Sequence, residues 1–298
     1  MRLLTFIVLT LFFVPTASAD QRATEILKQA REAIGGEQRL QKVEALHING
    51  QYRRAFGERQ MAGEREISVL LPDKYLVEDS MSPGGLSTAL INTRVLNGEH
   101  AWSGSSGGGG GMIFRMSGPG GQQLSPEQME AIQRRAYQTE FTRYLLAITL
   151  APPPALAVDY NYAGESDVDG EPADVIDVTG PENFSVRLFF DQKSHLPLLL
   201  SYRGPKPRLV TMTRPGNGAA KPEDLKKARE EAEKKMAEAP PVPEQVDFFI
   251  RLSDHKKVDG LTLPFKLTFL TDSEVSEEFE ISKYQVNPQF KADKFEKH

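Results

Sequence analysis

The stretch FSVRLFF at residues 184–190 decides the fold, because apolar and polar side chains alternate along it. Every second residue from Phe184 to Phe190 is apolar, and Ser185 and Arg187 lie between them. In an extended chain, successive side chains point to opposite faces. The pattern therefore predicts a β-strand with one apolar and one polar face, as in an antiparallel sheet.

The same alternation recurs along the chain. VDFFIRL at 246–252 and LPFKLTF at 263–269 repeat it most clearly. Earlier strands are predicted at LHINGQYRRA (46–55) and in EREISVLLPDKYLVEDSM (64–81), which divides at Pro72-Asp73. Asn97-Gly98, Asp169-Gly170 and Asp259-Gly260 are dipeptides typical of tight hairpin turns. Together these segments predict a large antiparallel sheet.

Two helices interrupt this pattern. Near the N-terminus, apolar residues recur at helical spacing from Ile26 to Ile34, and Gly35-Gly36 ends the helix. The second helix is predicted in the middle of the chain. Ser125 has the properties of its N-cap, Pro126 suits the first helical position, and Gln128 completes a capping box. The prolines after Ala151 end that helix.

The ends and the composition indicate an exported protein. Residues 1–19 have a positive start, a short apolar run and the small residues Ala17-Ser18-Ala19, which predict a secretory signal peptide cleaved after Ala19. No second long apolar run follows, so we expect a periplasmic or secreted protein that is not an integral membrane protein. The chain has no cysteine and a net charge of −5, which argues against disulfides and against nucleic acid as a partner.

Two segments fit no regular element. WSGSSGGGGGM at 102–112 opens a predicted flexible glycine-rich loop at 103–124. Its Gly104–Gly108 portion matches the G-x-S-x-G pattern around a nucleophilic serine, Ser106, but no helix follows directly, as that motif requires. The second segment, at 221–243, is a charged insert with helical i, i+4 pairs. It is interpreted either as a solvated helical excursion or as a docking arm for another protein.

No catalytic, metal or cofactor site is predicted. The five histidines are scattered, no HExxH pattern is present, and no nucleophile lies in a convincing sequence context. We therefore expect neither an enzyme nor a resident metal or cofactor.

The order of these elements resembles the lipoprotein-carrier fold of the LolA and LolB type, which RseB and MucB share. The resemblance is carried by QRATEILKQAREAIGG, LPDKYLVED, VLNGEHAW, VDGEPADVIDVTG, VRLFFDQKSHLPLLLSYRG and VDGLTLPFKLTF. It implies an α+β fold in which a curved antiparallel sheet forms an incomplete, half β-barrel, with an N-terminal helix and a mid-chain lid helix. Residues 20–298 would form that single domain.

The resemblance implies a non-enzymatic periplasmic protein that holds a lipid or a lipoprotein acyl chain in its half-barrel. The alternative is an RseB-like module that meets an envelope protein, with 221–243 as one candidate contact. A curved sheet with an apolar inner face can enclose a hydrophobic cavity. The residues expected to line it are Trp102, Leu188, Phe190, Phe248, Ile250, Phe265 and Leu267. Each of them can equally be an ordinary core residue.

Overall fold

The structure is a computed structural model, and it describes residues 19–56, 59–81, 89–107, 125–206, 223 and 244–297. Residues 108–124 of the predicted glycine-rich loop, and the insert at 221–243 apart from residue 223, lie outside this range. The predicted signal peptide lies outside it too, up to residue 18. Within the described part, no helix is long and apolar enough to cross a membrane.

The described residues form three α-helices. Helix α1 spans Ala19–Ile34, α2 spans Glu37–Leu40 and α3 spans Pro126–Thr149. The predicted capping box of α3 is confirmed, since the Ser125 side chain accepts from the Gln128 backbone and the Gln128 side chain accepts from the Ser125 backbone. Leu150 closes α3 in a left-handed conformation, two residues before Pro152.

The described residues also form a short 3-10 helix at Pro181–Asn183 and twelve β-strands. The first five are β1 Ala45–Phe56, β2 Arg59–Leu70, β3 Lys74–Met81, β4 Leu90–Asn97 and β5 His100–Ser106. After α3 come β6 Asp159–Val168, β7 Glu171–Thr179, β8 Ser185–Asp191 and β9 Pro197–Pro205. The last three are β10 Gln245–Val258, β11 Leu261–Thr271 and β12 Glu274–Val286. The predicted flexible loop at 103–124 was wrong at its start, because residues 103–106 belong to strand β5.

The strands form one antiparallel sheet in the order β5-β4-β3-β2-β1-β12-β11-β10-β9-β8-β7-β6. The chain runs outward from β1 to one edge at β5, crosses through α3 to the other edge at β6, and returns to pair β12 with β1. Among the described residues β5 and β6 are not paired, so the sheet is open. The hairpin turns predicted at Asp169-Gly170 and Asp259-Gly260 are confirmed, with positive φ at both residues of each pair.

A single turn of α3 shows that the sheet is strongly curved. The ring of Phe141 lies 5.5 Å from that of Tyr75 in β3, and the guanidinium carbon of Arg143 lies 3.4 Å from the ring centre of Tyr202 in β9. Strand β3 is third and β9 is ninth in the sheet, six steps apart. In a flat sheet the distance between strands six steps apart is roughly 29 Å, whereas a helix with its side chains is only about 10–12 Å wide. The predicted half-barrel around a mid-chain helix is therefore confirmed.

The inner face of the sheet, defined here as the face that carries α1 and α3, holds the main core. Helix α1 buries the stripe Ala23, Ile26, Leu27, Ala30 and Ile34 against it. The strands contribute every second residue, as the alternation predicts: Val186, Leu188 and Phe190 of β8 belong to this core. Burial of these side chains is the main stabilising contribution to such a fold.

The outer face is partly covered by the end of the chain. Phe290 and Phe295 pack with Leu76, Val95 and Trp102 on the outer side of β3, β4 and β5. The Lys294 amino group reinforces this contact at 2.8 Å from the Glu78 carboxylate. A second small apolar cluster, which includes Phe189, Leu199 and Phe249, covers the outer face of β6 to β10.

Gly50 allows β1 and β12 to approach closely at a bulge between Asn49 and Gly50. A Cβ atom at Gly50 would lie 2.2 Å from the Glu280 carbonyl oxygen and 2.8 Å from the Phe279 ring. Those distances are too short for any side chain, so a substitution must move the backbone of the central strand pair.

We expect Gly50→Ala to lower the free energy of unfolding by about 1–3 kcal/mol, the usual cost of overpacking. The control is Gly104→Ala in β5, where an added Cβ would meet nothing within 4 Å. Urea unfolding followed by Trp102 fluorescence measures both variants. Equal unfolding midpoints would contradict the close approach of β1 and β12.

Candidate functional site

A cavity of about 880 Å³, called here the α3 cavity, lies along α3. Besides α3, its walls come from Pro72 and Asp73, Leu96 of β4, segment 153–156, turn 181–184 and strands β7 to β10. Its apolar lining on the inner side includes Phe141, Leu156, Phe184 and Val186. The lining also includes Arg187, Ser201 and Phe249, which the strand register puts on the outer face, so the cavity extends beyond the inner face. Its volume lies within the usual range of small-molecule sites.

Two of the charged groups at the cavity wall are neutralised by partners. Arg135 of α3 forms an ion pair with Glu182 at 2.7 Å, which ties the helix to turn 181–184. Arg187 of β8 binds Asp177 of β7 through two hydrogen bonds of 2.6 and 3.0 Å. Both pairs are largely solvent-exposed, so each contributes little to stability.

Arg143 differs from these two arginines. Its guanidinium lies over the Tyr202 ring, which is itself stacked on the Phe248 ring with centroids 5.0 Å apart and planes at 15°. Burial lowers the pKa of Arg143, and nearby Tyr202 and Glu140 only partly offset that effect. A cation over an aromatic face is attracted by the ring quadrupole, which holds the side chain in place.

The opposite part of the inner face carries charged side chains. We call this group the buried ionic network; it consists of Arg54, Arg65, Asp79, Arg94 and Glu277. Arg65 is only 2% exposed and donates from Nε and Nη2 to the two carboxylate oxygens of Asp79, at 2.6 and 3.1 Å. It also donates from Nη1 and Nη2 to Glu277, to which Arg54 adds a hydrogen bond of 2.6 Å. The Nη1 atom of Arg94 lies 3.6 Å from Asp79. Each buried charge is thus matched by an opposite one, as burial requires.

The network controls the protonation of Asp79. Burial by itself would raise the pKa of Asp79, but Arg65, through its charge and its hydrogen bond, and then Arg94 and Arg54 hold that pKa below its ordinary value. Asp79 is therefore ionised at neutral pH in the folded protein.

Glu140 connects this network to α3. Its Oε1 atom accepts a hydrogen bond of 3.0 Å from the Tyr75 hydroxyl and one of 3.3 Å from Arg94 Nη2. Beyond Glu140 the helix is anchored by apolar packing, since Phe141, Tyr144, Leu145 and Ile148 are all buried. Before it, α3 is less buried, and Ile132 is 38% exposed. The two halves of α3 are therefore held by different forces.

The seven residues predicted to line a cavity are placed as follows. Leu188, Phe190, Ile250 and Leu267 are buried in the main core, and Phe265 packs against it. Phe248 stacks on Tyr202. Trp102 lies on the outer face with the end of the chain, opposite to the side on which the others were expected to meet. None of the seven is among the residues that line the α3 cavity.

Sequence reasoning missed the charged side chains of the inner face. Arg65 alternates in step with Ile67 and Val69, which the structure buries on the inner face. That shared period places Arg65 inside the barrel and was an available signal. Arg143 carried no such signal, because its environment is made by Tyr202, which is distant in sequence.

The chemistry of an acyl-transfer enzyme finds little support in the described part. Ser106 pairs with Ile91 at the end of β5. On the outer face, Ser68 Oγ lies 3.1 Å from His47 Nδ1, and His47 Nε2 lies 3.8 Å from Glu66. Ser68 is completely buried, so a substrate cannot reach it. Among the described residues, no group of three or more potential ligands is arranged to hold a metal ion.

No protein-family model matches the chain, and no curated protein sequence is significantly similar to it. Solved structures similar to it include a LolA superfamily protein from Nitrosomonas europaea, with 12% identity and a TM-score of 0.44 over 92% of this chain and 97% of that one. A DUF1329 family protein from Desulfovibrio piger has 11% identity and a TM-score of 0.45 over 92% and 97% of the two chains. A domain from Vibrio parahaemolyticus named for outer membrane lipoprotein sorting has 9% identity and a TM-score of 0.45 over 93% and 97%.

Asp79→Asn tests the buried ionic network. Breaking a buried pair should cost about 3–5 kcal/mol at pH 7. The ordinary pKa of an aspartate is about 3.9, so in the wild type the unfolded state takes up a proton near that pH while folded Asp79 stays ionised. The stability that Asp79 contributes is then lost as the pH falls further through its folded pKa.

We therefore expect the difference in unfolding free energy between wild type and Asp79→Asn to narrow below about pH 4. Urea unfolding at several pH values measures it. Asp293→Asn near the C-terminus, where the side chain is exposed, serves as the control. A difference that stays constant down to pH 2 would refute the role assigned to Asp79.

Glu140→Gln tests the polar anchor of α3. The substitution removes the charge that Arg94 and Tyr75 bind, so we expect local opening of residues 126–140 to become easier by about 1–2 kcal/mol, or roughly 5- to 30-fold. Amide hydrogen exchange measures this opening. Glu130→Gln, on the same helix and bonded to exposed His100, is the matched control. Equal exchange in the two variants would show that Glu140 does not hold the helix.

Proposed function

We propose that this chain is an exported, non-enzymatic binding protein that holds a lipid or the acyl chain of a lipoprotein in the α3 cavity. The observation that carries the proposal is the cavity itself, of about 880 Å³, in which an apolar surface that includes Phe141, Phe184 and Val186 lies beside polar and charged side chains. Ligand sites are typically concave and mostly apolar, with a few polar groups that fix orientation.

The energetics of acyl binding fit this arrangement. Each methylene transferred from water to an apolar wall contributes about 0.8 kcal/mol. The inner wall formed by Phe141, Phe184 and Val186 supplies such a surface. The N-terminal half of α3 is held by Tyr137, by Glu140 and by exposed ion pairs, and is less buried than the rest of the helix. Its displacement is the route by which we propose that a chain enters.

The residues predicted from the sequence have a supporting role in this proposal. Leu188, Phe190, Ile250 and Leu267 are covered by other core side chains. They would contact a ligand only after α3 moves away, so we propose that they form the floor beneath the cavity. Export is part of the same proposal, with cleavage after Ala19 releasing residues 20–298.

Thr139→Trp tests the proposal by filling the cavity. Thr139 lies on α3, is partly exposed and lines the cavity, so a large ring can be placed there without displacing the core. We expect residues 20–298, purified from a bacterial periplasm, to carry a co-purifying acylated species in native mass spectrometry. Thr139→Trp should reduce its amount at least about tenfold, because steric exclusion removes most of the apolar contact.

Ala131→Trp is the matched control, since Ala131 lies on the exposed side of the same helix and does not line the cavity. It should retain the ligand. A wild-type protein that stays free of ligand after incubation with lipids, or equal loading of both tryptophan variants, would reject the proposed site.

A further inference from the structure

Arg143 is a partly buried cation for which the described part of the chain provides no ion-pair partner. Of the arginines that line the α3 cavity, Arg135 is paired with Glu182 and Arg187 with Asp177. Arg203 is exposed and stands opposite Asp247 in the register of β9 and β10. Arg143 is the one among these four that is not exposed, and the described residues give it no ion pair.

The nearest carboxylate is already engaged. Glu140 lies one turn earlier on α3, and its Oε1 atom binds the Tyr75 hydroxyl and Arg94. The Nε atom of Arg143 is buried and has no hydrogen-bond partner. An unsatisfied buried donor on a charged group is costly, so a site that retains one is suited to a ligand that completes it.

The surroundings of Arg143 define the chemistry of that ligand. The guanidinium carbon lies 3.4 Å from the centre of the Tyr202 ring, on which Phe248 is stacked, and this contact holds the side chain at the wall of the cavity. A planar guanidinium edge matches the two oxygens of a carboxylate or a phosphate. Phe141, Phe184 and Val186 line the same cavity and offer an apolar surface close to the charge.

We infer that the α3 cavity takes a single-chain amphiphile with an anionic oxygen head group, and that Arg143 binds this head while the hydrocarbon tail lies on the apolar lining. The inference rests on the proposed function and makes it more specific. A neutral lipid can contact the apolar lining of the cavity but cannot form an ion pair with Arg143. Carboxylate and phosphate heads share the required chemistry.

The test compares head groups at constant tail length by isothermal titration calorimetry on residues 20–298. Oleate and oleyl phosphate carry an anionic head, and monoolein carries a neutral one. A charge-assisted hydrogen bond corresponds to about a ten- to hundredfold change in affinity. We expect oleate and oleyl phosphate to bind the wild type more tightly than monoolein by that factor. Acetate and inorganic phosphate, which lack the tail, should bind far more weakly.

Arg143→Met removes the charge and keeps the length of the side chain. It should weaken oleate binding about ten- to hundredfold and weaken monoolein binding far less, so that the preference for oleate is lost. Arg143→Lys, which keeps the charge but not the planar edge, should retain part of the oleate affinity. Arg134→Met makes the same change in net charge on α3 outside the cavity, where Arg134 pairs with Glu99, and should have no effect. Circular dichroism confirms that each variant is folded.

The outcomes separate this inference from the proposed function. Equal wild-type affinity for oleate and monoolein, or unchanged oleate binding in folded Arg143→Met, overturns the role of Arg143 and leaves an acyl-binding cavity. Tight binding of inorganic phosphate alone overturns the amphiphile in favour of a simple anion site. Failure of all three lipids to bind overturns both proposals.

Discussion

The structure depends on the contact of one helical turn with strands from both halves of the sheet. Phe141 and Tyr144 of α3 meet Tyr75 of β3 and Phe269 of β11, and Arg143 meets Tyr202 of β9. Burial of these side chains between the two halves of the twelve-stranded sheet stabilises its tight curvature. Bulges such as that at Gly50 add local twist, and the aromatic packing around α3 selects the curvature that closes the sheet around the helix.

The inner face of the curved sheet has two parts, one held by ion pairs and the other by apolar packing. Around β2, β3 and β12 the interior holds Arg65, Asp79 and Glu277, whose charges and hydrogen bonds satisfy one another. Such a network contributes less to net stability than to specifying one arrangement, because breaking any pair strands a buried charge. Around β8 to β11 the interior is apolar. Helix α3 joins the two parts, with Glu140 on the charged side and Arg143 over the aromatic side.

The α3 cavity has a mixed lining, because polar residues of α3 face it together with apolar ones. An all-apolar helix would pack down onto β8 to β11 and leave no space. Polar residues of α3 such as Gln138, Thr139 and Arg143 keep that side from filling completely. Because the helix is anchored by Glu140 and by buried residues from Phe141 onward, the space persists without exposing the core.

The sequence by itself determined the elements and their faces. Alternation at 184–190, the hairpin dipeptides at Asp169-Gly170 and Asp259-Gly260, and the capping box at Ser125 all act between neighbours in the chain, so they can be read without the fold. The same alternation would have placed Arg65 inside the barrel. It had no means of placing Trp102, because the apolar cluster that buries this residue on the outer face includes Phe290 and Phe295 from the other end of the chain.

Only the tertiary structure decided where the α3 cavity lies. Leu188, Phe190, Ile250 and Leu267 are apolar and face inward as expected, yet side chains of other elements already cover them. The cavity is lined instead by α3, segment 153–156 and turn 181–184, which come together only when the sheet curls. Local patterns specify which face a side chain takes, whereas empty space is what remains after every long-range contact has formed.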